Sequence, residues 1–246
     1  MVTENQARYA WYTEGAGSLL IEAEKTALES VLSKVYGFHL VQIADPQLSK
    51  LVSSSMIGHR ILVNKGDSDT WPCSLIRGEV DELPIKTDSI DAVLLSHSLE
   101  QAAHPHQMLR ETHRILLPEG HLLITALNPY SLWGLWYSLS RRLKHIPKQG
   151  RLMSLNRIRD WLELLDFKIV SANYFFFRPP FAKSGMMQRL QFLEKFGPNC
   201  FPFLGGAYQI VAVKRVVGLT PIRPNWKRRR VWADRAVAKP SVRQKI

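Results

Sequence analysis

The feature that most constrains this chain is a set of short apolar runs alternating with helix-period segments. His39-Leu-Val-Gln-Ile-Ala44, His59-Arg-Ile-Leu-Val63, Ile90-Asp-Ala-Val-Leu-Leu95 and Leu122-Leu-Ile-Thr125 are β-prone and largely apolar on both faces. Strands of that kind belong in a parallel sheet covered on two sides. Leu20, Ala23, Ala27 and Val31 recur at helical spacing, which predicts an opening helix between Ser18 and Lys34 that Gly37 can end. A second helix is predicted from Pro105 to Leu116, stopped by Pro118-Glu-Gly120. Asn128-Pro129 reads as the cap and first position of a third, running from Tyr130 towards Lys144. A fourth spans Leu155 to Leu165, and Phe167 to Phe177 and Ala207 to Val217 read as closing strands.

Composition bounds the classes. The 246 residues are 46% hydrophobic and 22% charged, as in an ordinary folded protein. One domain over residues 15–217 is the simplest partition, followed by a basic tail, 218–246, expected to be disordered. From Pro221 to Ile246 there are nine basic residues against Asp234 alone, so this segment supplies +8 of the net +12. Such a tail suits nucleic acid or an anionic surface, and equally a solubilising end without a fixed partner. No apolar run approaches the roughly 20 residues that cross a bilayer, so no transmembrane segment is expected. Without a recognisable secretory signal, and with only Cys73 and Cys200, a cytoplasmic protein free of disulfides is expected.

The blocks Arg77-Gly-Glu-Val-Asp-Glu-Leu-Pro84, Asp88-Ser-Ile-Asp-Ala-Val-Leu-Leu-Ser-His97 and Leu109-Arg-Glu-Thr-His-Arg-Ile-Leu-Leu-Pro-Glu-Gly-His-Leu-Leu-Ile124 carry a resemblance. Over residues 36–128 the chain resembles the type 11 group of class I S-adenosylmethionine-dependent methyltransferases. The resemblance implies an α/β, Rossmann-like fold: about seven strands, mostly parallel, the last antiparallel, with helices on both faces. It also implies S-adenosyl-L-methionine as cofactor and methyl transfer to an unidentified acceptor, either small or lipid-like, or RNA. By position in the motifs, it implies that Glu79 and Val80 hold the adenine and Asn64, or slightly later Asp67, the ribose. Ile43, Ala44, Asp45 and Pro46 border the methionine end, and Ser96 and His97 face the transferring methyl group. Asp91 matches an aspartate that supports the glycine-rich loop.

The chain departs from that pattern at the first motif. Gln42, Ala44, Pro46 and Leu48 stand where family members have an acidic residue and loop glycines. Glycines there let the backbone approach a ligand because no Cβ intervenes. Two readings stay open: a methyltransferase with a drifted loop, or a non-catalytic scaffold or nucleic-acid-binding protein of the same fold that has lost the cofactor.

His97 is the candidate general base, since imidazole titrates near neutrality, although capping a helix or bonding a backbone carbonyl explains a histidine there as well. His104 and His106 have no carboxylate or cysteine at ligand spacing, so no metal site is expected. The aromatic helix of Leu132, Trp133, Leu135, Trp136 and Leu139 with a basic end covers the sheet, lies at a membrane surface or shields an apolar substrate. The phenylalanines 175 to 177 read as core or as a lid.

Overall fold

A computed structural model describes residues 16–64, 74–142, 150–179 and 201–216, together with Leu193, Glu194 and Gly197. The tail at 218–246 and Asp67 lie outside the described residues. Seven strands, β1 (His39–Ile43), β2 (His59–Asn64), β3 (Ser74–Arg77), β4 (Ile90–Ser96), β5 (Leu116–Leu127), β6 (Phe167–Phe175) and β7 (Ala207–Lys214), form one sheet in the order β3-β2-β1-β4-β5-β7-β6. Pairings from β3 through β5 are parallel, and β7 runs antiparallel to both β5 and β6. The helices are α1 (Ala16–Leu32), α2 (Ser98–Gln101), α3 (Pro105–Ile115), α4 (Leu132–Arg142) and α5 (Leu155–Leu164). This is the Rossmann-like arrangement that the sequence predicts.

Alternation along the strands divides the core between the two faces. Leu40, Leu62, Ala92, Leu94 and Leu123 meet Leu28 and Leu32 of α1 in one cluster. Val41, Ile43, Val93, Leu95 and Ile124 meet Met108 and Leu109 of α3 and Ile158 and Leu162 of α5 in the other. Burial on both sides explains why these strands read as unbroken apolar runs.

Three charged side chains fasten the framework. Asp91 accepts hydrogen bonds from the backbone N–H of Phe38 and of His39, both at 2.9 Å, and so fixes the start of β1. It does not support a cofactor loop, as the resemblance implied, because residue 91 opens its strand at the far end of the sheet. Gly37 is required beside it, since a Cβ there would fall 2.4 Å from that of Asp91. Lys214 is buried, and its ammonium donates to Asp88 Oδ1 at 2.7 Å and to the carbonyls of His113 and Leu116. Arg114 donates to the carbonyls of Leu83 and Ile85 while pairing with Glu111. The Arg114 guanidinium beside it holds the Glu111 carboxyl below its ordinary range.

Elsewhere the boundaries shift for local reasons. Ser131, not Asn128, caps α4, its Oγ accepting from Gly134 N–H at 3.0 Å. Asn128 instead donates from Nδ2 to the carbonyls of Phe203 and Gly205, tying the end of β5 to the segment before β7. Phe176 is fully buried against Trp133, so it is core rather than lid. Replacing Asp91 with alanine removes the acceptor of two backbone donors and should cost about 2–3 kcal/mol, read from urea unfolding midpoints at unchanged m-value.

Candidate active site

Chain order reverses between β1 and β4: β2 and β3 lie to one side of β1, β4 and β5 to the other. In open α/β sheets ligands bind at the carboxyl ends of strands beside such a switch point. Ile43 ends β1, Asn64 ends β2 and Ser96 ends β4, so the sheet brings these three expected residues to one edge. Glu79 and Val80 follow β3 on the same edge, with Glu79 exposed and Val80 half-buried against the core. Their turn is held by Glu111, whose carboxylate accepts from Leu83 N–H, and by Arg114.

The loop after β1 is a 3₁₀ turn, Pro46–Val52, that Asp45 leads into. Gln42 stands at the family's acidic place, and its Nε2 donates to the Leu48 carbonyl at 2.8 Å. Leu48 is fully buried among Leu28, Leu32 and Leu51, and Ala44 lies in the same cluster. Side chains that would crowd a glycine loop thus serve as anchors beneath α1. Asp45 Oδ2 accepts from Gln101 Nε2 at 3.2 Å, spanning from the end of β1 to α2.

Of the ten side-chain polar atoms that are buried without a hydrogen-bond partner among the described residues, four are Gln47 Oε1, Asp81 Oδ1, Ser96 Oγ and Ser98 Oγ. They follow or end β1, β3 and β4. Buried polar atoms are almost always satisfied, so such orphans call for a water or a ligand. Hydroxyl and carboxylate groups suit the ribose hydroxyls, ammonium and carboxylate of an amino-acid-bearing nucleoside, and on this observation the residues fit S-adenosylmethionine. Gln47, Asp81, Ser98 and Gln101 were not legible as site residues, because nothing in their spacing marks them.

His97, for which the sequence left both a base and a structural role open, sits between two carboxylates. It adopts a left-handed backbone, φ 52°, at the start of α2 and is almost wholly buried. Nε2 lies 3.3 Å from Glu24 Oε2 of α1, off the line of a good hydrogen bond, and Nδ1 lies 3.6 Å from Glu100 Oε1 of α2. Glu24 also accepts from Thr125 Oγ1 on β5, and Glu100 from Leu127 N–H. Burial alone pushes the imidazole down, but the facing Glu24 and Glu100 carboxylates outweigh it and raise its pKa to about 10. An imidazolium at neutral pH has no lone pair for a proton, so this geometry suits His97 to joining α1 to the sheet rather than to general-base work.

The polar row around it crosses the sheet. Ser96 pairs with Thr125, Thr125 with Gln209, and Gln209 with Asn173, so four adjacent strands carry polar side chains on one face at one level. His104 and His106 are exposed, the His106 ring lies tilted at 45° against Trp161 with centroids 3.7 Å apart, and no metal-binding group occurs among the described residues.

The pH dependence follows from the raised value of His97. Its folded-state value lies above the ordinary 6.5, so its contribution is fully present below about 6.5 and is lost as pH rises through about 10. Urea unfolding should show stability falling across that window. His97→Gln should flatten the slope and cost about 3–5 kcal/mol at neutral pH, because two buried carboxylates lose their counter-charge.

A methyltransferase-domain family model matches residues 27–124. The uncharacterized Escherichia coli (strain K12) protein YafS is 30% identical over 204 residues, covering 83% of this chain and 80% of that protein. Among solved structures, a methyltransferase in complex with the Haloferax volcanii Trm112 methyltransferase activator aligns with TM-score 0.60 at 19% identity, covering 87% of this chain and 98% of that one. A SAM-dependent methyltransferase from Thermotoga maritima aligns with TM-score 0.60 at 16% identity, covering 85% and 94%. With its strand order and these similarities together, the chain belongs to one family with YafS and has the class I methyltransferase fold, its residues 27–124 matching the methyltransferase domain of the type 11 group.

Proposed function

We propose that the protein binds S-adenosylmethionine at the carboxyl edge of β1 to β4 and transfers its methyl group to an acceptor presented at the same edge. The observation that carries this reading is the set of buried, unpartnered polar atoms at Gln47, Asp81, Ser96 and Ser98, all at the carboxyl ends of β1, β3 and β4. When bound, the cofactor supplies a methyl group activated by a sulfonium. Glu79 and Val80 would hold the adenine, Asn64 the ribose, and Ile43, Ala44, Asp45 and Pro46, with Ser96, the methionine end. His97 is then a positioning residue: as a cation it holds α1 against the ends of β4 and β5 and keeps water from that side of the site. The chain's part in the transfer is alignment and desolvation of an acceptor that arrives nucleophilic, without a histidine base.

The specific observation favouring a non-catalytic reading is the 3₁₀ turn, whose Pro46 and buried Leu48 replace the glycine cradle. Calorimetric titration with S-adenosylmethionine and S-adenosylhomocysteine separates the two. Saturable binding that Asn64→Ala or Glu79→Ala weakens about tenfold, the worth of one hydrogen bond, supports the enzyme. No heat at millimolar ligand and no thermal shift supports the scaffold.

The acceptor classes are small or lipid-like molecules and RNA. The basic segment 221–246 is proposed as a contact for nucleic acid or an anionic surface. Its removal should weaken RNA binding and flatten the salt dependence, measured by fluorescence anisotropy across a salt series. Unchanged binding assigns the contact to the domain.

A further inference from the structure

We propose that the exposed face of α4 and the neighbouring loop around Phe203 dock the protein onto an anionic lipid surface. Leu132, Leu135 and Leu139 stand three and four residues apart, so they form one stripe, and all three are exposed. The opposite face of the helix already has its partner: Trp133 is buried against Phe176 and donates to the Arg178 carbonyl. The stripe is therefore surplus to the core. Asn128 joins the helix start to the loop, accepting from Tyr130 N–H through Oδ1 and donating to the Phe203 and Gly205 carbonyls. Tyr130, Phe201 and Phe203 are strongly exposed beside that junction, Phe203 at 71%. Aromatic and leucine side chains are thus gathered at one edge, where a chain without a partner surface rarely exposes them.

Charge complementarity chooses the occupant. From Gly120 to Arg159 the chain has seven Lys and Arg residues, 141, 142, 144, 148, 151, 157 and 159, and no Asp or Glu. A short apolar stripe in a purely basic segment has the chemistry of a helix lying in the interface plane of a bilayer that carries negative headgroups. Eleven residues are too few to cross, and among the described residues no helix is long and apolar enough to do so. Phosphate contacts alone would have no use for the leucines, so nucleic acid does not explain the stripe. The docked face adjoins the carboxyl end of β5, on the edge that carries Ser96, so the bilayer would border the candidate site. Docking of this face needs no methyl transfer, and its test reads lipid binding alone.

The experiment is flotation of the full chain with vesicles of phosphatidylcholine, alone or with about 30% phosphatidylglycerol, a charge density that gives a strong surface potential. The full chain should float with the anionic vesicles and less well at high salt. A Leu135→Glu, Leu139→Glu double variant, folded by circular dichroism because both positions are exposed, should lose about tenfold or more of that partition. Phe203→Ser, outside the helix, should lose a smaller part. No binding by the parent chain, or equal flotation of parent and double variant, overturns the proposal and leaves charge alone as the attraction. Sedimentation velocity without vesicles supplies a further check. A monomeric parent chain is expected, and a dimer that the double variant dissolves would assign the stripe to a second copy and likewise overturn it.

Discussion

A positively charged imidazole between two buried carboxylates organises one end of this molecule. Glu24 comes from the opening helix, Glu100 from the short helix after β4, and His97 from the bend that joins them to the sheet. Removing His97 leaves two carboxylates without their shared counter-charge in a dry interior, where that is expensive. The opening helix is therefore tied to the ends of β4 and β5, although it lies far from them in sequence. Thr125 and the Leu127 amide extend the cluster onto β5, so four elements share one electrostatic unit.

The framework was legible because its signals are strong and local. β1, β2 and β4 are apolar on both faces, which leaves few alternatives to a covered parallel sheet, and their observed ends fall within a residue or so of the apolar runs. β3 was not visible as a pattern: Ser74 to Arg77 is a four-residue edge strand, half-exposed, with little apolar content to mark it. Asn128 bonds distant carbonyls rather than the helix that follows it. Asparagine and serine both cap helices, and the long-range carbonyls of Phe203 and Gly205 decided between Asn128 and Ser131.

The candidate site was legible only in outline. Motif position sufficed to bring residues 43, 64 and 96 to one edge, because the ends of adjacent parallel strands must meet there. It could not reveal what His97 faces, since Glu24 lies more than seventy residues away and its arrival depends on how the first helix crosses the sheet. Nor could it show that Gln47 and Asp81 point buried oxygens at nothing in the protein, a property of packing and not of composition.

The turn after β1 carries a consequence of its own. A glycine loop is soft and can mould itself to what it holds, whereas here Leu48 is rooted in the interior and Gln42 grips its carbonyl. Such a segment yields only when the layer beneath it loosens, which costs far more than bending a surface loop. A guest at this edge would meet a mould already cast, with narrow shape tolerance and selectivity drawn from rigidity rather than from closure around it.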